Sequence, residues 1–135
     1  MSTHFLLIDD DEDELEIFRE AIDALGIEVD CSYAPNPEKA LALLNATVPD
    51  YIFLDINMPG VNGFDLLKLI RQHANQSDTC IVMYSTGIDR ATALAAQQLG
   101  ATTCIKKAGT IHQLTIDLKN LLHFGRDYSN VASAQ

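Results

Sequence analysis

The stretch YIFLDINMPGVNG, residues 51–63, runs four apolar residues straight into a carboxylate, Asp55, and then into Pro59 and Gly60. A charge at the end of a buried strand is costly unless something nearby makes use of it. Other apolar runs end in the same way. FLLI (5–8) leads into Asp9 and Asp10, CIVMY into Ser85 and Thr86, and TTCI into Lys106 and Lys107. Three carboxylates converging near 4 Å would repel at about 4 kcal/mol per pair for an effective dielectric near 20. Either their pKa values rise or a cation neutralises them. Hard oxygen donors, with no His or Cys at coordinating spacing, favour Mg²⁺ (or Mn²⁺), which keeps several waters and can also bind a phosphate oxygen. A metal beside a lone carboxylate, a hydroxyl and an ammonium suits phosphoryl transfer. The carboxylate acts as nucleophile and becomes an acyl phosphate. The lysine and the hydroxyl stabilise the transferred group.

These side chains need a frame that gathers them. Short apolar runs at 5–8, 29–34 (VDCSYA), 51–54, 80–85 and 102–105 alternate with helical patterns. Most are too short and too continuously apolar for half-exposed antiparallel strands, and read as central strands of a parallel sheet covered on both faces. Leu15, Phe18, Ile22 and Leu25 repeat at helical spacing, with Gly26 as a stop. Pro37 opens a second helix through about Asn45. Leu66, Leu67 and Ile70 mark a third. Asp89 reads as the N-cap of a fourth that carries Leu94, Ala95 and Leu99. Leu114, Leu118, Leu121 and Leu122 mark a fifth, ended by Gly125.

Five βα units in succession predict a doubly wound α/β domain with a five-stranded parallel sheet. In such sheets ligands bind beyond the carboxyl ends of the strands, where strand order reverses. The acids follow the first and third strands, while the second ends in Ala34 and Pro35. That pattern predicts the order 2-1-3-4-5. Asp11, Glu12, Asp13 and Glu14 read as an acidic first helical turn favoured by the helix dipole.

The balance of 9 basic against 19 acidic residues gives a net charge of −10. This disfavours nucleic acid, which calls for a basic footprint, and disfavours anionic membrane surfaces. Cys31, Cys80 and Cys104 form no Cys-x-x-Cys spacing, and no secretion signal opens the sequence. Both features predict a reducing, cytoplasmic setting. No apolar run reaches the roughly 20 residues of a membrane span. His4, His73, His112 and His123 are scattered without a cluster. Residues 1–124 read as one domain and 125–135 as a flexible polar tail, which Phe124 and Tyr128 could pin.

Taken together, LLIDD (6–10), DINMPGVNG (55–63), the hydroxyl after the fourth strand and GATTCIKK (100–107) resemble receiver domains of two-component response regulators. The likeness runs from about Phe5 to Leu122, with Asp55 standing 30 residues before Ser85 and 52 before Lys107. The resemblance implies a flavodoxin-like fold and a phosphoacceptor, Asp55. It implies Asp10 as direct metal ligand, Asp9 as an acid acting largely through metal-bound water, and Asn57 as a backbone-carbonyl ligand. Ser85 would be the switch hydroxyl, with Thr86 able to share its duty, and Lys107 would pair with the phosphoryl group. Lys106 would be a solvated neighbour. The implied partner is a histidine kinase or a histidine phosphotransfer protein. With no output domain following in this sequence, output is expected by protein contact, through the face of the fourth helix, fifth strand and fifth helix.

Two positions depart from the family pattern. Ala108 stands where proline usually follows the lysine, which predicts either a cis Lys107–Ala108 bond or a trans bond with a rebuilt loop. Cys104 stands where an aromatic usually gates the switch. Three other readings remain open. A degenerate receiver would act as an interaction module without phosphorylation. A haloacid-dehalogenase-type phosphohydrolase would carry D-x-D-x-[TV] from Asp9, but Asp13 stands at the Thr or Val position. An FMN-binding flavodoxin-like protein would use STGIDRAT (85–92) as a phosphate loop, although that loop should follow the first strand.

Overall fold

The computed structural model of the chain describes residues 2–73 and 78–131. Five parallel strands, β1 (Thr3–Ile8), β2 (Val29–Ala34), β3 (Tyr51–Leu54), β6 (Cys80–Ser85) and β7 (Thr103–Lys106), form one sheet in the order β2-β1-β3-β6-β7. Between β3 and β6 lies a small antiparallel ribbon, β4 (Asn57–Met58) and β5 (Val61–Asn62). Leaving that ribbon out of the count, the order is the expected 2-1-3-4-5. The fold is the flavodoxin-like receiver architecture.

Among the described residues five α-helices cover the sheet: α1 (Glu12–Ala24), α2 (Pro37–Ala46), α3 (Gly63–Gln72), α4 (Arg90–Gln98) and α5 (Ile111–Phe124). Their starts follow from local chemistry. Asp11, Asn36, Asn62, Asp89 and Thr110 each cap a helix by accepting a backbone N–H from two or three residues ahead. α5 ends at Gly125, whose φ of +62° suits a residue without a Cβ.

Alternation along the strands sends the two faces of the sheet into different cores. Leu6, Ile8, Ile52, Leu54, Ile81 and Met83 pack with residues of α2, α3 and α4 in an aliphatic core. Phe5, Leu7, Phe53, Val82, Tyr84 and Ile105 meet α1 and α5 in an aromatic one. There Phe18 and Phe53 stand edge to face at 4.8 Å, and Phe5 and Phe53 at 5.1 Å.

Two expectations need correction. On α4 the buried residue is Ala96, with Ala93 and Leu99 half-buried beside it. Leu94 is 50% exposed and Ala95 is exposed. Helical spacing from Ala93 through Ala96 to Leu99 sets the inner face, and a small alanine lets the helix lie close to the sheet. The polar tail expected to fray from Gly125 is instead packed through Val131. Gly125–Asp127 form a turn of 3₁₀ helix, and the Tyr128 hydroxyl donates to Asp117 at 2.5 Å. A buried carboxylate in α5 that needs donors holds this segment down. Residues 132–135 lie outside the described residues.

Candidate functional site

Hydrogen bonding that continues past the strand ends carries the polar side chains to one edge of the sheet. Asp9 N–H donates to Ala34 C=O at 3.1 Å, Asp55 N–H to Ile8 C=O at 3.0 Å, and Lys107 N–H to Ser85 C=O at 3.0 Å. Each residue sits one step beyond its strand, on a backbone still tied to the neighbouring strand. Main-chain order, not side-chain attraction, therefore sets where the charges meet.

Asp9, Asp10 and Asp55 each bring a carboxylate oxygen within 4.8 Å of the others. Asp9 is fully buried, Asp55 nearly so, and Asp10 exposed. The Lys107 ammonium donates to Asp9 Oδ2 at 2.6 Å and lies 3.8 Å from Asp55 Oδ2, with its side chain 7% exposed. Burial pushes the Asp9 carboxyl above its ordinary value, and the hydrogen bond from Lys107 works against that rise. For Lys107 burial alone would favour the neutral amine, but the Asp9 bond and the charges of Asp9 and Asp55 outweigh it and raise its pKa. The pair is an ion pair, and one lysine is too little cation for three acids. Their hard oxygen donors suit a small divalent cation that keeps part of its water shell. Asp9, Asp10 and Asp55 are the residues that could hold one.

The surrounding loops fix the acids. Asp55 Oδ1 accepts the Asn57 N–H at 3.1 Å, and Asp9 Oδ1 accepts the Asp11 N–H at 3.0 Å. Asn57 Nδ2 donates to the Ser85 hydroxyl at 3.4 Å, linking the loop after β3 to the end of β6. Ser85 is buried, whereas Thr86 beside it is exposed. Lys106 is exposed. Pro59 and Gly60 turn the ribbon back on itself, with Gly60 at φ +69°. Met58 sits in the aliphatic core and anchors that loop. No cis peptide occurs among the described residues, so Lys107–Ala108 is trans.

Three contributors were not evident from residue pattern. Gly63 opens α3 hard against the main chain after the candidate nucleophile: a Cβ there would lie 2.6 Å from Ile56 Cα and 2.7 Å from Asp55 O. The Asn-Gly pair before an apolar helix was the available signal. The Tyr84 ring lies 5.2 Å from Lys107 Nζ and gives the ammonium an aromatic floor. Glu14 is half-buried, and burial raises its carboxyl pKa. The nearby Lys107 charge opposes that rise, and Asp9 adds to it. It therefore faces the cluster from α1 instead of lying wholly in solvent.

Comparison with known proteins agrees with this geometry. The response regulator receiver domain model matches residues 5–119. The response regulator SaeR of Staphylococcus aureus (strain USA300) is 28% identical over 120 residues, 89% of this chain and 50% of SaeR. The chain thus spans about half the length of the curated relatives it matches. The chemotaxis response regulator CheY4 of Vibrio cholerae superposes with a TM-score of 0.77 at 26% identity, covering 91% of this chain and 98% of that one. A putative response regulator from Chloroflexus aurantiacus J-10-fl gives 0.76 at 26% identity, covering 91% and 99%. A family match over most of the sequence, on a fold that gathers the acids and the lysine at one sheet edge, means that the chain belongs to the response regulator receiver domain family, the phosphoacceptors of two-component signalling.

Proposed function

We propose that Asp55 accepts a phosphoryl group from a histidine kinase or a histidine phosphotransfer protein, in a reaction that depends on Mg²⁺ or Mn²⁺. The observation that carries this reading is the convergence of Asp9, Asp10 and Asp55 within 4.8 Å, with the Lys107 ammonium between two of them. A carboxylate oxygen of Asp55 attacks phosphorus. The new O–P bond forms as the donor's N–P bond breaks, and the electron pair leaves with the imidazole nitrogen, which takes up a proton. Bound to Asp9, Asp10, Asp55 and the Asn57 carbonyl, the divalent ion would supply charge neutralisation to the transferred group.

The chain's own residues do the rest. The Asn57 N–H holds one oxygen of Asp55 and leaves the other free to attack. Lys107 moves from Asp9 toward the arriving phosphoryl oxygens, and the Ser85 hydroxyl, now accepting from Asn57, turns to donate to them. Thr86, at the surface beside Ser85, is a lesser candidate for that donor. Hydrolysis of the acyl phosphate returns the protein to its starting state, so its chemistry acts on itself and not on a pool of substrate.

Output then passes by protein contact. The net charge of −10 favours protein partners over nucleic acid or anionic membranes. Three free cysteines fit a cytoplasmic setting, and no helix among the described residues is long and apolar enough to cross a membrane.

The test is incubation with Mg²⁺ and acetyl phosphate followed by intact mass. A labile phosphoryl adduct, absent in Asp55→Asn, supports the phosphoacceptor. Steady consumption of acetyl phosphate without an adduct supports a hydrolase. No adduct, with a cognate kinase also failing, supports a degenerate interaction module.

A further inference from the structure

Residues 128–131 lie along the open edge of the sheet and tie it to α5, which neither the fold nor phosphoryl transfer requires. Among the described residues β7 is the last strand of the sheet and pairs with β6 alone. An edge strand presents main-chain donors and acceptors with no neighbouring strand to meet them. Here side chains of the following segment meet them. Ser129 Oγ donates to Cys104 C=O at 2.7 Å. Asn130 brackets Lys106: its Oδ1 accepts the Lys106 N–H at 2.6 Å, and its Nδ2 donates to the Lys106 C=O at 2.9 Å.

The same Nδ2 donates to Asp117 Oδ2 at 3.1 Å, and Tyr128 donates to Asp117 Oδ1 at 2.5 Å. Asp117 is 1% exposed, and two of its three donors come from this segment, Gln113 being the third. Tyr128 packs into the aromatic core, while Val131 packs against the aliphatic one that contains Cys104 and Ala96. The segment therefore crosses the β7 edge from the α5 side to the α4 side and covers it.

Lys106 is the residue before Lys107. The Asn130 bracket holds the main chain from which Lys107 reaches Asp9 at 2.6 Å and Asp55 at 3.8 Å. A phosphoryl group on Asp55 would bring anionic oxygens beside Nζ and draw it off Asp9. Two hydrogen bonds from one side chain to the N–H and C=O of one residue share a register, so a displacement of Lys106 along its strand misaligns both at once.

We propose that Tyr128–Val131 is a strap that covers the β7 edge while Asp55 is unmodified and loosens when Asp55 carries a phosphoryl group. The coupling rests on the phosphoacceptor reading above, and one experiment separates the two. Hydrogen–deuterium exchange is followed on the full chain in Mg²⁺, with and without acetyl phosphate, and the adduct is quantified by intact mass in the same samples.

The expected result is exchange of amides 128–131 at least about fivefold faster in the adduct, the lower end of ordinary coupling between sites. Asn130→Ala should exchange fast without phosphate and gain less than about twofold from it, because the bracket that transmits the shift is gone. Ser129→Ala, which keeps the bracket, should retain most of the wild-type response and serves as the second variant if Asn130→Ala does not fold. An adduct with unchanged exchange at 128–131 overturns the strap and leaves the phosphoacceptor standing. Absence of any adduct in the wild type, with kinase as donor as well, overturns the phosphoacceptor reading and the coupling with it.

Discussion

Lys107 is shared unequally between two acids, 2.6 Å from Asp9 Oδ2 and 3.8 Å from Asp55 Oδ2. The direct bond goes to the more deeply buried carboxylate, and the candidate nucleophile keeps the looser contact. Lys107→Met should therefore strand Asp9. Breaking a buried pair by removing one partner costs about 3–5 kcal/mol. Urea denaturation in EDTA should register a loss of that order, and added Mg²⁺ should return part of it. An equal loss with and without Mg²⁺ would mean that the ion does not reach Asp9.

The acids outnumber the cation, so removing one negative charge should relieve the metal-free protein. Asp55→Asn keeps an oxygen to accept the Asn57 N–H while losing the charge. In EDTA its unfolding free energy should exceed wild type by about 1–2 kcal/mol, a fraction of the Coulomb repulsion of one close pair. In Mg²⁺ the ordering should shrink or invert, since a divalent ion would find one carboxylate fewer in the variant. Denaturant titrations of both proteins in both buffers decide this.

Gly63 and Gly87 should respond oppositely to alanine. At Gly63 the added Cβ meets main-chain atoms of Asp55 and Ile56 at 2.6–2.8 Å, and overpacking against backbone costs about 1–3 kcal/mol. Gly63→Ala should lower both stability and the rate of adduct formation, because the candidate nucleophile's own peptide has to move. At Gly87 the nearest atom is Asn57 Nδ2 at 3.8 Å. Gly87→Ala should melt within about 0.5 kcal/mol of wild type. Comparable melting of the two variants would rule out the close approach at Gly63.

Burial pushes the Cys104 thiol up to about 11. In the unfolded chain it titrates near an ordinary thiol value of about 8.5. Between those values the unfolded state has released its proton and the folded state has not. Stability contributed by Cys104 is thus intact below about pH 8.5 and is lost as pH rises toward 11. Cys104→Ala should flatten that part of the stability–pH curve. A slope unchanged by the substitution would assign the alkaline loss to other groups.

The two sides of the core predict contrasting costs. Phe53 is fully buried between Phe5 and Phe18, and Phe53→Ala should cost about 3–5 kcal/mol. Leu94, half exposed on α4, should be replaceable by alanine within about 0.5 kcal/mol. A large loss at Leu94 would restore the inward orientation that its spacing suggested.

Legibility in the sequence followed the strength of the local signal. The strands ending at Ile8, Leu54 and Ser85 were plain because a strand buried on both faces has almost no choice but apolar residues. The caps at Asp89 and Gly125 were plain because helix ends have few chemical solutions. The ribbon at Asn57–Met58 and Val61–Asn62 was not, since two residues per strand carry no period. On α4, the alanines and Leu94 and Leu99 allow two apolar stripes, and only packing against the sheet selects the one through Ala96. The tail from Gly125 has the composition of a loose end, and its hold comes from Asp117, whose burial is a property of the assembled core.

By itself the sequence determined which residue types stand at which strand ends, and hence the α/β order, the acidic cluster and its lysine, because strand polarity and alternation are local rules. Tertiary structure alone decided that Lys107 favours Asp9, that Tyr84 lies beneath it, that Thr86 faces outward and that residues 128–131 close the β7 edge. Those outcomes turn on distances of a few ångströms between segments far apart in the chain, and no local pattern encodes them.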